Sequence, residues 1–138
     1  MRSGLRSIGA IVAGFIAASI VMLIIETING RVLYPELGNA AGGVTDRETV
    51  RALLATAPLG AFLVVIAGWI LGGVAGGWTT ARLAARATAG HGLVLGTLLT
   101  LAGVANNLMV PPPLWFWIAS LVVLMPAAYV GARLAPAR

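Results

Sequence analysis

Four apolar stretches, residues 8–25, 59–78, 93–110 and 114–132, take up most of this chain, and none of them contains a charged side chain. A helix needs about 20 apolar residues to cross roughly 30 Å of hydrocarbon, and each stretch is at or near that length. Lipid offers no hydrogen bonds to an open backbone, so spans of this kind must be helices. The expected fold is an all-α integral membrane protein, a four-transmembrane-helix bundle with spans at about 8–29, 59–81, 91–110 and 114–133. The spans leave room for a single membrane domain over residues 1–138 and for no soluble catalytic module.

The charges predict an orientation. All nine basic residues are arginine, and there is no lysine. Arg2, Arg6, Arg82, Arg86, Arg133 and Arg138 flank the two termini and the second connection, against Arg31, Arg47 and Arg51 in the first. That asymmetry favours both termini in the cytoplasm, and it reads the arginines as topology and lipid contacts rather than a nucleic-acid surface. Arginine-only, Ala- and Gly-rich usage suggests a bacterium with GC-rich DNA, and hence its cytoplasmic (inner) membrane. The first apolar core is longer than a signal-peptide core and no cleavage pattern follows it, so it is expected to stay as a first helix.

The first connection, about 30–57, is the only sizeable segment outside the spans. It opens with turn material at Tyr34-Pro35 and at residues 38–43. Thr45 and Glu48 then match a capping box, predicting a short amphipathic helix over 46–56 that covers the outer end of the bundle. Pro111, Pro112 and Pro113 stop the third span sharply, and Pro126 is expected to kink the fourth.

Small residues form stripes along the spans. Gly92, Gly96, Thr100, Gly103 and Asn107 fall within an arc of roughly 80° on the third. Gly68, Gly72 and Gly76 do the same on the second, widened by Gly73 and Gly77. Such rows let backbones approach closely where lipid provides no hydrophobic contrast, and they predict tight packing between the second and third spans.

Chemistry, if there is any, is expected in a polar group at the outer end. Glu26 and Asn29 share a face of the first helix, while Asn106 and Asn107 sit one or two turns inside the prolines. Asn107 continues the small stripe and should point into the bundle; Asn106 is rotated about 100° from it. With Arg31, these residues could line an outward-facing pocket for a cation, a proton or a polar head group, or the asparagines could simply be hydrogen-bonding glue between helices. Trp69 lies about 16 Å beyond Pro58, near mid-membrane, where its indole N–H needs an acceptor and its ring could stack on a ligand. His91, the single histidine, sits at a span boundary without cysteines or a nearby carboxylate, so no metal site is expected. No cofactor is indicated either. HExxH, GxSxG, Walker A and strand-linked GxGxxG motifs are absent, and with no cysteine there is no thiolate chemistry.

Residues 107–117 (NLMVPPPLWFW), Pro126, residues 131–135 (GARLA), Glu26 and Tyr34-Pro35 together resemble a group of small bacterial four-helix inner-membrane proteins. The resemblance implies the architecture and no activity. Small multidrug-resistance transporters are similar in having four helices and a Glu on the first. Theirs lies mid-membrane, whereas Glu26 lies near the outer end, and they lack the long first loop. Fluoride channels are similar in size, but their Phe filter pattern is not matched. The leading expectation is a non-catalytic accessory or partner-binding subunit, a homo-oligomer or part of a larger membrane complex. The alternative is a small ion or solute transporter or channel using Glu26, Asn106 and Asn107, with a lipid- or quinone-acting protein third.

Overall fold

The computed structural model describes residues 2–84 and 89–136; Arg86 and Arg138, two arginines in the charge count, lie outside the described residues. Within them the chain is all helical, and four helices are long and apolar enough to cross a membrane, as a multi-pass membrane protein requires. These are α1 (Arg2–Ile28, prolonged by one π-helical turn, Asn29–Leu33), α4 (Leu59–Leu83), α5 (Ala89–Met109) and α6 (Leu114–Leu134), with α2 (Pro35–Ala41) and α3 (Arg47–Ala55) between α1 and α4. Both termini lie at one end of the bundle, the termini end; α2, α3 and the three prolines lie at the other, the α3 end.

The long helices are inside out relative to a soluble bundle. On α1 the buried positions are Ala10, Gly14 and Ala18, while Ile8, Val12, Ile16 and Ile20 are each more than half exposed. In water so large an apolar surface would aggregate; in hydrocarbon it is the solvated face. Close contact therefore falls to the small residues. Gly68 and Gly72 of α4 abut Ile25 and Met22 of α1, and Gly76 meets the Gly14 carbonyl and Ala18. On its other face, Gly73 and Gly77 meet Ala127 and Ala128 of α6, and Gly131 of α6 meets the Val74 backbone. Gly92 and Gly96 of α5 pack on Ala132 and Met125 of α6. The glycine stripes therefore pair differently from the sequence expectation. The main partners of α4 are α1 and α6, and α5 leans on α6 and only lightly on α4. Helix order around the bundle is α1, α4, α6, α5. A stripe specifies a face, and either neighbour with a matching stripe can fill it.

Three local features also depart from the sequence reading. The first helical run continues past the expected end at about residue 29, to Leu33. Tyr34 N–H reaches back five residues to the Asn29 carbonyl at 2.8 Å, adding the π turn, and Pro35 forces Tyr34 out of the helical region (φ −133°, ψ 62°). The expected turn at Pro35 is instead α2, whose proline occupies the first helical turn. Gly38 of α2 sits so close on the Gly30 carbonyl that a side chain there would collide with it. Finally, Asp46, not Thr45, caps α3: its Oδ2 accepts from Thr49 N–H at 2.9 Å and Thr49 Oγ1 at 2.7 Å. Both are good N-caps, but a cap at Asp46 puts Thr49 at N3, where its N–H and its hydroxyl both reach the carboxylate. α6 runs on through Pro126 as one helix.

The ends are pinned by side chain to backbone bonds. Arg6 Nε donates to the Leu83 carbonyl at 3.0 Å, and His91 Nε2 lies 3.2 Å from Ser7 Oγ, joining α1 to α4 and α5 at the termini end. At the α3 end Arg47 Nε donates to the Leu108 carbonyl at 2.9 Å, so α3 is fastened to an orphan carbonyl of the last turn of α5.

Gly77→Ala and Gly131→Ala are expected to destabilise the bundle by about 1–3 kcal/mol each, since the new Cβ strikes backbone across the α4–α6 contact. Gly9→Ala, with nothing within 4 Å of a Cβ, is the control and is expected to be neutral. Unfolding in mixed micelles with rising SDS reads the difference. The Thr49 bonds hold the Asp46 carboxyl below its ordinary value of 3.8. Its support of α3 is complete above that value and is lost as pH falls through the depressed one. The protection of the Thr49 amide, relative to its intrinsic exchange rate at the same pH, is expected to fall on that descent, and Asp46→Ala is expected to abolish that fall.

Candidate functional site

The period of α1 positions the site. Asn29 continues the face that Ala18, Met22 and Ile25 turn toward α4, and its Nδ2 donates to the Ala61 carbonyl at 3.0 Å with the side chain buried. Glu26, one turn earlier, meets α4 as well: Trp69 Nε1–H donates to Glu26 Oε1 at 2.9 Å. Trp69 is 4% exposed, and its ring is fixed by an edge contact with Phe116 of α6 at 6.0 Å. The indole N–H that needed a partner at this depth thus finds a carboxylate from the first helix.

Glu26 borders three cavities. The first is a crevice of about 260 Å³ between α1 and α5, walled by Phe15, Met22 and Leu23 on one side and Leu99, Ala102 and Asn106 on the other, with Trp69 and Leu124 at its floor. The second is a chamber of about 300 Å³ at the α3 end. Its walls include Asn29, Asn106, Asn107 and Phe116, and Val50, Leu53 and Leu54 of α3 line it with Leu37 of α2. The third is an open polar vestibule of about 600 Å³ beside Arg31, Thr27 and Asn39. The structure thus brings Glu26, Asn29, Asn106 and Asn107 around one chamber, and it places Arg31 next door in the vestibule. Trp69 belongs to the crevice. Asn106 is shared between crevice and chamber, as its 100° rotation from Asn107 would allow.

Asn107 is fully buried; its Nδ2 donates to Ser120 Oγ of α6 at 3.2 Å, and that hydroxyl donates on to the Trp117 carbonyl at 3.3 Å. The carboxamide oxygens of Asn29 and Asn107 are both buried without a hydrogen-bond partner. Unpaired buried acceptors are uncommon because each forgoes about 1–3 kcal/mol. Both belong to residues that line the same chamber as Glu26. Among the described residues, no three His, Asp or Glu side chains gather as a metal site would need.

Sequence reasoning missed the covering residues. The apolar face of α3 (Val50, Leu53, Leu54) was legible as a membrane-surface face, but it lines the chamber. Phe62, Trp115 and Phe116 form an aromatic cluster with centroids 5.3 to 5.9 Å apart, and Phe62 and Phe116 line the chamber wall. Their spacing in the chain carried no signal, since Phe62 meets the other two only across helices.

No protein-family model matches the chain, and neither the curated proteins nor the solved structures contain a match to it.

Ser120→Ala is expected to cost about 1 kcal/mol by leaving Asn107 Nδ2 without its acceptor. Adding Asn107→Leu is expected to recover part of that loss, because removing both partners removes the buried polar group. A double-mutant cycle in SDS unfolding checks the coupling.

Proposed function

We propose that this protein is a non-catalytic membrane protein that binds a small cationic or protonatable solute at Glu26 and passes it between the α3 end and the interior of the bundle. The observation that carries the reading is the position of Glu26: one carboxylate, oriented by Trp69, faces a vestibule, a chamber and a crevice. An ionisable group within a span is costly and is generally kept for an ion, proton or ligand path. An acidic side chain bordering all three cavities supports a donor-bearing or cationic ligand over an anion. The arginine asymmetry supports a bacterial cytoplasmic membrane, with the α3 end outside and both termini in the cytoplasm.

A second reading, the accessory subunit, draws on the incompletely closed α1–α5 seam, where the small residues Ser19 and Ala102 leave room for the helix of a partner or of a second copy. Native mass spectrometry of the particle extracted in mild detergent separates the two. A stoichiometric second membrane protein supports the accessory role, and a solitary chain counts against it.

In proteoliposomes, uptake of tetramethylammonium or of protons is expected to exceed that of protein-free vesicles. Glu26→Gln is expected to bring uptake down to the protein-free level, and Glu36→Gln, on α2 and away from the three cavities, to leave it unchanged. Wild-type uptake in the Glu26→Gln protein would sink the proposal.

A further inference from the structure

The crevice indicates what kind of solute Glu26 receives and from where. From Phe15 to Glu26 it follows about 16 Å of α1, at the rise of an α-helix. Its walls along that length are hydrocarbon: Phe15, Met22 and Leu23 from α1, Leu99 from α5, Leu124 from α6. Ser19, the one hydroxyl in it, is turned back on its own helix, donating to the Phe15 carbonyl at 2.8 Å. Polarity is confined to the upper end, where Glu26 and Asn106 stand together above the Trp69 ring.

The seam is shut at the termini end, where Ser7 and His91 approach to 3.2 Å. Farther along it is open at the protein surface, as the exposure of Ser19, Leu23, Ala102 and Asn106 shows. Those residues lie within the membrane-crossing lengths of α1 and α5, so the opening faces hydrocarbon rather than water.

From this arrangement we infer that the ligand is a cationic amphiphile, and that it reaches Glu26 sideways from the bilayer through the α1–α5 seam. The inference rests on the ligand reading of Glu26 given above. Charge and polarity commit the crevice to this occupant. An apolar groove ending at a single carboxylate complements an alkyl chain ending in an ammonium group. The Trp69 N–H engages Oε1, leaving Oε2 for the head group. A partner helix would fill the groove but would leave Glu26 facing hydrocarbon unless it brought a positive charge to that depth. An anionic or zwitterionic lipid would set its phosphate against the carboxylate.

The test uses the full chain in phosphatidylcholine nanodiscs and radiolabelled dodecyltrimethylammonium, with binding to protein-free nanodiscs subtracted. Saturable binding of about one probe per chain is expected, with tetramethylammonium competing at least tenfold more weakly because it lacks the chain that partitions into lipid. Glu26→Gln and Ala102→Trp are each expected to weaken binding at least tenfold, the first by removing the charge and the second by filling the groove from its exposed rim. Ser19→Phe fills it from the opposite wall, and matched far-UV dichroism of the three variants shows that they remain folded. Binding no greater than to empty nanodiscs, or binding indifferent to both groove-filling variants, would overturn the inference. So would unchanged probe binding after disulfide cross-linking across the crevice through Ser19→Cys and Ala102→Cys, in a chain with no other cysteine. Loss of tetramethylammonium uptake in Glu26→Gln with full amphiphile binding in Ala102→Trp would refute lateral access alone. Unchanged uptake in Glu26→Gln would refute the reading on which it rests.

Discussion

The arrangement depends on how closely α4 can approach two neighbours at once. Lipid gives helices no reason to hide their leucines, so cohesion has to come from backbone proximity, and that requires surfaces without side chains. α4 has two such surfaces, Gly68, Gly72 and Gly76 toward α1 and Gly73 and Gly77 toward α6. With α4 engaged on both sides and α5 applied to α6 through Gly92 and Gly96, nothing draws α1 and α5 together over the half of the bundle nearer the α3 end. The crevice is the consequence of that imbalance. The same glycines that make the bundle compact on three sides leave it open on the fourth.

The polar site exploits this opening. A carboxylate inside a span is tolerable where it has a donor and access to water or to a charge, and Glu26 has the first in Trp69 and the second in its cavities. Trp69 can serve because Gly103 of α5 leaves room against its ring and Phe116 holds its edge. Asn29, one turn beyond Glu26, contributes the other half of the site through its bond to α4. Above these groups α3 lies across the chamber, tied to α5 through the Arg47 bond to the Leu108 carbonyl. Its apolar face is therefore occupied by the protein's own cavity, although the sequence pattern is equally that of a helix lying on lipid.

Much of this was legible in the residues. The four spans follow from length and apolarity alone, and the inward turn of Asn107 follows from the 3.6-residue period that aligns it with Gly96 and Gly103. The gathering of Glu26, Asn29, Asn106 and Asn107 at one end followed from their distances to the span ends. Asn107 is fully buried against Ser120, as an extension of the stripe requires. What could not be read was each residue's counterpart. Glu26 and Trp69 were separate candidates at different nominal depths, and only the antiparallel packing of α1 on α4, with the length of the indole, brings them to 2.9 Å. Likewise Thr45 and Asp46 are both competent caps one residue apart, and the choice between them depends on where Thr49 falls in the first turn of α3.

Sequence by itself therefore determined the solvent, the number of crossings, the small faces and the end of the bundle where polarity collects, because each depends on composition and on the period of a single helix. Tertiary structure alone decided which glycine face meets which neighbour, that the α1–α5 seam stays open, that Asn29 is bonded to the Ala61 carbonyl, and that the Glu26 carboxylate is held by Trp69. The physical reason is the same in each case. A helix's own period says which way a side chain points, but a contact is a property of two helices, and lipid, being indifferent to which apolar faces it covers, leaves that choice to packing.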